Sequence, residues 1–236
     1  MVYVQKILDR PVNMRSCVIM PAYNESRAIE GLIKCLREQN LATIVIDDGS
    51  SDNTASLAKL SGAVVLENPQ NIGKGASLTK GFDYALSQGF DAVVTMDGDG
   101  QHLPEEAAHF ITVAERSNAG ILIGNRMNQV QNMPFIRVQT NKFMSWIISR
   151  LCRQMIPDTQ CGFRLIRSEV LKKISLRTYK YEAESEILIQ AARLGFSIES
   201  VPVKTIYRDE KSSIHPVWDT IRFIRFILRE LWITRH

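Results

Sequence analysis

Residues 91–102 read DAVVTMDGDGQH: a short β-branched run, Asp91 to Met96, that closes on two aspartates separated by a single glycine. The run neither alternates polar with apolar positions nor reaches helical length, which is the pattern of a parallel strand covered on both faces. The same theme stands three times upstream. Residues 16–20 (SCVIM) precede PAYNES (21–26), residues 42–46 (ATIVI) precede DDGSSDNT (47–54), and residues 63–66 (AVVL) precede ENPQNIGKG (67–75). The stretches between have helical spacing, as with Ile29, Leu32, Ile33 and Leu36 on one face, and Asp52 or Asn53 offers an N-cap for the next helix. Such alternation predicts an α/β fold with a mostly parallel central sheet flanked by helices.

Beyond Gly124 the rhythm changes. Residues 143–152 lie in a long amphipathic helix (141–156), residues 162–166 read as a strand, 184–194 as a helix, and 196–207 as a late strand. No internal repeat, low-complexity tract or Ser/Gly/Pro-rich linker interrupts the chain. The expectation is one domain over 1–236, with a motif-bearing core at 14–215 and an amphipathic helix at 216–236.

A chain of 236 residues with 45% hydrophobic and 23% charged residues is globular and long enough to bury a sizeable core. Its net charge of +4 is too small for a dedicated nucleic-acid binder, so no nucleic-acid partner is expected. That charge is concentrated from Lys204 to His236, where seven basic residues face four acidic ones. Cys17, Cys35, Cys152 and Cys161 are scattered, forming neither a zinc pair nor a disulfide framework, and are expected as reduced thiols in the cytoplasm. The first residues carry charges throughout and lack the apolar core of a secretion signal. No stretch reaches the ~18 uninterrupted apolar residues of a spanning helix, so a soluble or surface-bound protein on the cytoplasmic side is expected.

In open α/β sheets ligands gather where strand C-termini open into loops. Three such loops bring Tyr23, Asn24 and Glu25, then Asp47 and Asp48, then Asp97, Asp99 and Gln101 to one rim. The hard oxygens of Asp97 and Asp99 suit Mg²⁺ or Mn²⁺, ions that share substrate phosphates rather than demand a full protein cage. An isolated D-G-D is as often a simple acidic turn. Its place directly after an apolar run, with Gln101 and His102 following, favours a metal site, and the missing spaced ligands and closing Glu disfavour an EF-hand. The neighbouring charges of Asp47 and Asp48 repel unless a donor or cation faces them, which a nucleoside beside a metal would supply. NIGKGAS (71–77) has neither Walker spacing nor a dinucleotide fingerprint, because Leu78 stands where the third glycine belongs, and a dehydrogenase is disfavoured. Lys74 is left either as a phosphate contact or as part of a loop turning into a helix. Arg126, Arg137, Arg208 and Lys211 are each ordinary surface charges alone. As a set they suit a leaving diphosphate or an acceptor phosphate.

PAYNES (21–26), DDGSSDNT (47–54), NIGKGASLTKGFDYA (71–85), DGDGQHLPE (97–105), GNR (124–126) and DTQCGFRL (158–165), in this order, resemble the family 2 glycosyltransferases over residues 14 to 215. The branch most similar is that of the dolichyl- or polyprenyl-phosphate mannose synthases. The resemblance implies a GT-A (Rossmann-like) fold, a GDP- or UDP-hexose donor, Mg²⁺ or Mn²⁺, inversion at the anomeric carbon and a lipid phosphate acceptor. Carried over by position, Pro21, Tyr23, Glu25 and Asp47 resemble nucleoside-binding residues, and Asp97, Gly98, Asp99 and Gln101 match the metal and diphosphate motif. Metal ligation falls to Asp97, Asp99 and Gln101. Arg126 and Arg137 resemble the arginines that receive the acceptor phosphate, Arg208 and Lys211 the loop that closes over the donor, and Asp158, Gly162, Phe163 and Arg164 the acceptor-side motif.

A hydroxyl acceptor needs a general base, for which His102, Asp99 and Glu184 are the nearby candidates. A lipid phosphate, with a second pKa of about 6, is already largely ionised at neutral pH. The sequence therefore leaves open transfer to a saccharide or other hydroxyl, and a non-catalytic nucleotide-binding scaffold. Many members of this branch continue into transmembrane helices. Here Val217 to His236 sets Ile221, Ile224, Leu228, Leu231 and Trp232 on one side, with Arg222, Arg225 and Arg229 among the polar positions. That segment either lies peripherally on an anionic membrane surface or docks on its own domain.

Overall fold

In a computed structural model of the chain, residues 14–127, 133–204 and 216–235 are described, with side chains in the last segment from 222 to 231. The four runs read from the sequence are strands β1 (Ser16–Ala22), β2 (Ala42–Asp47), β3 (Val64–Glu67) and β4 (Ala92–Thr95), joined by helices α1 (Ile29–Glu38), α2 (Thr54–Leu60) and α3 (Lys74–Ser87). They are followed by α4 (Glu106–Arg116), β5 (Ile121–Asn125), α5 (Phe135–Cys152), β6 (Arg164–Arg167), α6 (Ser168–Leu171), α7 (Glu182–Arg193), β7 (Ile198–Pro202) and α8 (Pro216–Arg235).

The described strands form one sheet in the order β3-β2-β1-β4-β6-β5-β7. Parallel pairing links β1 with β2 and β4, β2 with β3, and β5 with β7, while β6 runs antiparallel to both β4 and β5. The register sets Ala22 opposite Asp47 and Ile19 opposite Thr95, so the C-terminal ends of β1, β2 and β4 come out on the same edge. Helices cover both faces, which is why the runs are apolar without alternation: Val18, Ile19, Met20, Ile44, Val45, Ile46, Val93 and Val94 are all buried. The α1 stripe of Ile29, Leu32, Ile33 and Leu36 is buried as its spacing predicted, and each such side chain contributes roughly 1.5–3 kcal/mol. The α2 cap differs in detail. Asn53 holds the cap position without a side-chain bond, while the carboxylate of Asp52 accepts from the Thr54 and Ser26 amides at 3.0 and 3.2 Å, lacing two loops together.

Helix α8 docks on α7, but not by the apolar stripe its spacing picked out. Among its described side chains Phe226 and Glu230 are the buried ones, with Glu230 held by Arg193 at 2.6 Å and Phe223 and Ile227 packed against the core. Ile224, Leu228 and Leu231 remain 51%, 61% and 42% exposed, leaving an apolar stripe on the outer side; the side chains of Ile221 and Trp232 lie outside the described residues. Among the described residues no helix is long and apolar enough to cross a membrane. The four cysteines are free thiols.

Candidate active site

The strand order reverses between β1 and β4, and in such sheets the diverging loops leave a crevice at the C-terminal edge. The loops after β1, β2 and β4 enter this crevice and are tied to one another. Asn24, at φ 59°, accepts the Ser51 amide at 2.8 Å on its side-chain carbonyl and donates its own amide to Ser50 Oγ at 2.9 Å. The Glu25 amide donates to Thr54 Oγ1 at 2.8 Å. Gly98 lets the third loop join them. A Cβ at that position would sit 3.3 Å from Ala22 Cβ, 3.4 Å from the Pro21 carbonyl and 3.5 Å from Glu25 Cγ, so the acidic loop lies flat against the PAYNE loop. Tyr23 stands 47% exposed at the rim.

Asp47 and Asp48 have different surroundings. Asp48 is satisfied by the protein, accepting from Asn68 Nδ2 at 2.8 Å and from the Ile72 and Gly73 amides at 3.1 and 2.9 Å. Its charge therefore needs no ligand to answer it. Among the described residues Asp47 accepts only the Ser50 amide, at 3.1 Å on Oδ2, and its buried Oδ1 meets no partner. A buried acceptor left open is uncommon and costly, and it makes Asp47 the member of the pair suited to a donor on a ligand.

At the third loop the Lys74 ammonium lies 2.6 Å from Asp97 Oδ1 and 3.1 Å from Glu184 Oε1, with His102 Nε2 3.8 Å from Asp97 Oδ2. Burial disfavours the ionised Asp97, but the charges and hydrogen bonds of Lys74 and His102 together outweigh it and hold the carboxyl far below the usual range. Lys74 is correspondingly pushed up, its burial overcome by Asp97 and Glu184. Asp99 shifts the other way: burial, then the Asp97 charge, raise it, and the Gln101 amide at 2.9 Å only partly offsets them. Two hard carboxylates, one of them already holding a cation and the other short of positive charge, fit Mg²⁺ or Mn²⁺. Among the described residues no three His, Cys, Asp or Glu side chains gather with metal-binding geometry, so such an ion would take its remaining oxygens from a diphosphate and water.

The raised Asp99 has a measurable consequence. Folding disfavours its ionised form, so the penalty is absent below the ordinary carboxylate range, near pH 4, and grows as pH rises through it. Asp99→Asn is expected to raise the ligand-free melting temperature at pH 7, with the gain vanishing near pH 4. An unchanged or lower midpoint at pH 7 would contradict this.

Segment 158–164 forms the wall of the crevice. A Cβ on Gly162 would meet Asp97 Oδ2 at 2.9 Å and Glu184 Oε1 at 3.1 Å, and the Gly162 carbonyl accepts from Thr95 Oγ1 at 2.7 Å. Asp158, fully buried, takes Arg126 in a two-pronged pair at 2.7 and 2.9 Å and also accepts the Arg126 amide. Phe163 packs edge-on against Phe110. Arg164 is buried, donating to the carbonyls of Cys161, Thr159 and Glu184 and so fixing the first turn of α7. The four acceptor-motif residues are thus struts of the wall in this structure. Arg137 lies exposed in the first turn of α5; Arg208 and Lys211 lie outside the described residues. Of the base candidates, Glu184 is held by Lys74 and His102 is 5% exposed beneath Phe163.

A family-wide sequence profile described as glycosyl transferase family 2 matches residues 17–175. The chain is 32% identical over 215 residues to a UDP-N-acetylglucosamine–dolichyl-phosphate N-acetylglucosaminyltransferase of Methanococcus voltae, covering 81% of this chain and 86% of the relative. It is 30% identical over 212 residues to a polyprenol monophosphomannose synthase of Mycolicibacterium smegmatis, covering 83% and 78%. The crystal structure of glucosyl-3-phosphoglycerate synthase from Mycobacterium tuberculosis with Mn²⁺, UDP-glucose and phosphoglyceric acid matches with a TM-score of 0.71 at 20% identity, over 93% of this chain and 79% of that one. The likeness is one of fold, and the fold is GT-A.

Proposed function

The chain belongs to glycosyl transferase family 2, and on that premise we propose that it transfers a hexose from a GDP- or UDP-sugar to a polyprenyl or dolichyl phosphate, with inversion, at the cytoplasmic face of a membrane. The observation that carries this reading is the convergence of Glu25, Asp47, Asp97 and Asp99 at the crevice where β1 and β4 part. Pro21, Tyr23, Glu25 and Asp47 take the nucleoside, with the open Asp47 Oδ1 receiving a donor from it. Asp97, Asp99 and Gln101 would hold Mg²⁺ or Mn²⁺, which when bound supplies Lewis-acid stabilisation of the leaving diphosphate. Arg208 and Lys211 are assigned to the same diphosphate by their place in the sequence.

On the acceptor side, α5 turns Val138, Ile148 and Cys152 to the core yet leaves large aromatics outside. It buries Asn141 and Ser145, the latter bonded to Thr159, and exposes Phe135, Ile136, Phe143 and Trp146 at 74%, 80%, 62% and 57%. Phe143 stacks on Trp146, and Arg150 lies over the Trp146 ring. An exposed aromatic face beside arginines suits a phospholipid interface and a phosphate on a polyprenyl tail. Arg137, on the same helix, receives the acceptor phosphate, while Arg126 with Asp158 shapes the wall behind it. A phosphate acceptor is already a nucleophile at neutral pH, which agrees with the engagement of Glu184 and the burial of His102.

The raised Asp99 supports a second reading, because a carboxyl with greater proton affinity is a better general base and would serve a hydroxyl acceptor. Incubation with labelled GDP-mannose, UDP-glucose or UDP-N-acetylglucosamine, Mn²⁺ and polyprenyl phosphate decides between them. Label in the organic phase with one donor is the expected result. Label only on an added soluble saccharide would favour the second reading, and no transfer with any donor would overturn both.

A further inference from the structure

Lys74 is a charged group in the crevice to which the transfer chemistry above gives no part. As the first residue of α3 it joins three elements: its own loop, Asp97 after β4, and Glu184 in the first turn of α7. Its backbone is held from several sides. The Gly75 and Ala76 amides donate to the Tyr179 carbonyl at 2.8 and 3.2 Å, and the Gly73 amide donates to Asp48 Oδ2 at 2.9 Å. The segment carrying Tyr179 is fixed in turn by Glu186, whose Oε2 accepts the Arg177 and Thr178 amides at 3.1 and 2.9 Å. A flexible four-carbon stem on so rigid a base delivers one positive charge to the edge of the carboxylate that a divalent cation would need. An ammonium and a dication repel at such a distance, and a single carboxylate edge does not serve both.

We propose that Lys74 is the resident counter-cation of the donor site: with no donor present it neutralises Asp97 and Glu184, and when a nucleoside diphosphate enters with a divalent cation it releases Asp97 and turns to the diphosphate oxygens. Lys74 is then a positioning residue that makes metal and nucleotide binding mutually dependent. Either ligand alone meets a site closed by an internal ion pair, whereas together they give the ammonium a better partner than the one it leaves. This role rests on the nucleotide-sugar reading above.

The test is Mn²⁺ binding to the full chain, followed by electron paramagnetic resonance of free Mn²⁺ and by thermal shift, with and without GDP or UDP. In the wild type, nucleotide is expected to tighten Mn²⁺ binding by about 10-fold or more, within the usual range of coupling between sites. Lys74→Met is expected to bind Mn²⁺ alone about 10-fold more tightly than the wild type, because the Lys74 charge no longer occupies Asp97 and Glu184, and nucleotide should tighten it by a smaller factor than in the wild type, the part that the diphosphate oxygens supply themselves. Should Lys74→Met fail to fold, Lys74→Gln, which still donates a hydrogen bond but carries no charge, takes its place. Mn²⁺ affinity no higher in the variant, or nucleotide coupling equal to that of the wild type, would overturn the role while leaving the nucleotide-sugar reading standing. Failure of the wild type to bind either Mn²⁺ or nucleotide would overturn both.

Discussion

Asp97→Ala is expected to lower kcat by about 10³-fold or more, the scale set by removing a preorganised charge-stabilising contact from a transfer site, while the protein remains folded. The two effects separate because of the geometry around Lys74. Removing Asp97 takes away one metal ligand, but the ammonium keeps Glu184 at 3.1 Å and is not stranded. The acid stability of the protein should change in a defined direction. The depressed Asp97 contributes stability above its unfolded value near pH 4, lost as pH falls further towards its folded value. The variant should therefore differ most from the wild type at neutral pH and converge with it in strong acid. Labelled product formation at saturating donor, with circular dichroism as the folding control, checks this. More than a tenth of wild-type turnover would contradict it.

Asp158→Ala is expected to have the largest effect on stability, about 3–5 kcal/mol, because it takes from the buried Arg126 the carboxylate that accepts its two-pronged pair. Both side chains of that pair are nearly inaccessible, and the carboxylate also satisfies the Arg126 and Gln160 amides, at 3.1 and 3.2 Å. In a domain of this size the loss corresponds to a melting temperature lower by about 10 °C. Arg126→Met added to Asp158→Ala should recover part of it, since the double variant no longer buries a charge whose carboxylate has been removed. Denaturant titration of the three variants gives the cycle. A single-variant loss below ~1 kcal/mol, or no recovery in the double variant, would show that the pair is not the strut described.

Strands β1 to β4 and the rim they carry are legible because a buried parallel strand announces itself locally, as a short apolar run between polar turns. The same signal stands in residues 121–125, ILIGN, where all five positions of β5 are buried. Gly120 and Gly124 punctuate it and blur the signal. The antiparallel course of β6 has no counterpart in composition or period, since neither encodes direction. Helix α5 shows a different limit. Its spacing marks it as amphipathic, but only the packing reveals that Asn141 and Ser145 face inward and Trp146 outward. In α8 the docked face includes Glu230, which reads as a surface residue until Arg193 is found opposite it. Lys74 is the clearest case at the site. Its neighbours GKG resemble a phosphate loop, whereas its partners Asp97 and Glu184 come from distant parts of the chain and are brought together only by the sheet order and the wall at Gly162.

The most direct measurement is the anomalous scattering of Mn²⁺ in crystals grown with Mn²⁺ and GDP or UDP. The expected result is a single strong peak about 2.1 Å from carboxylate oxygens of Asp97 or Asp99 and shared with the nucleotide diphosphate. A nucleotide bound with its diphosphate turned away from these aspartates, or a manganese peak elsewhere in the molecule, would contradict it.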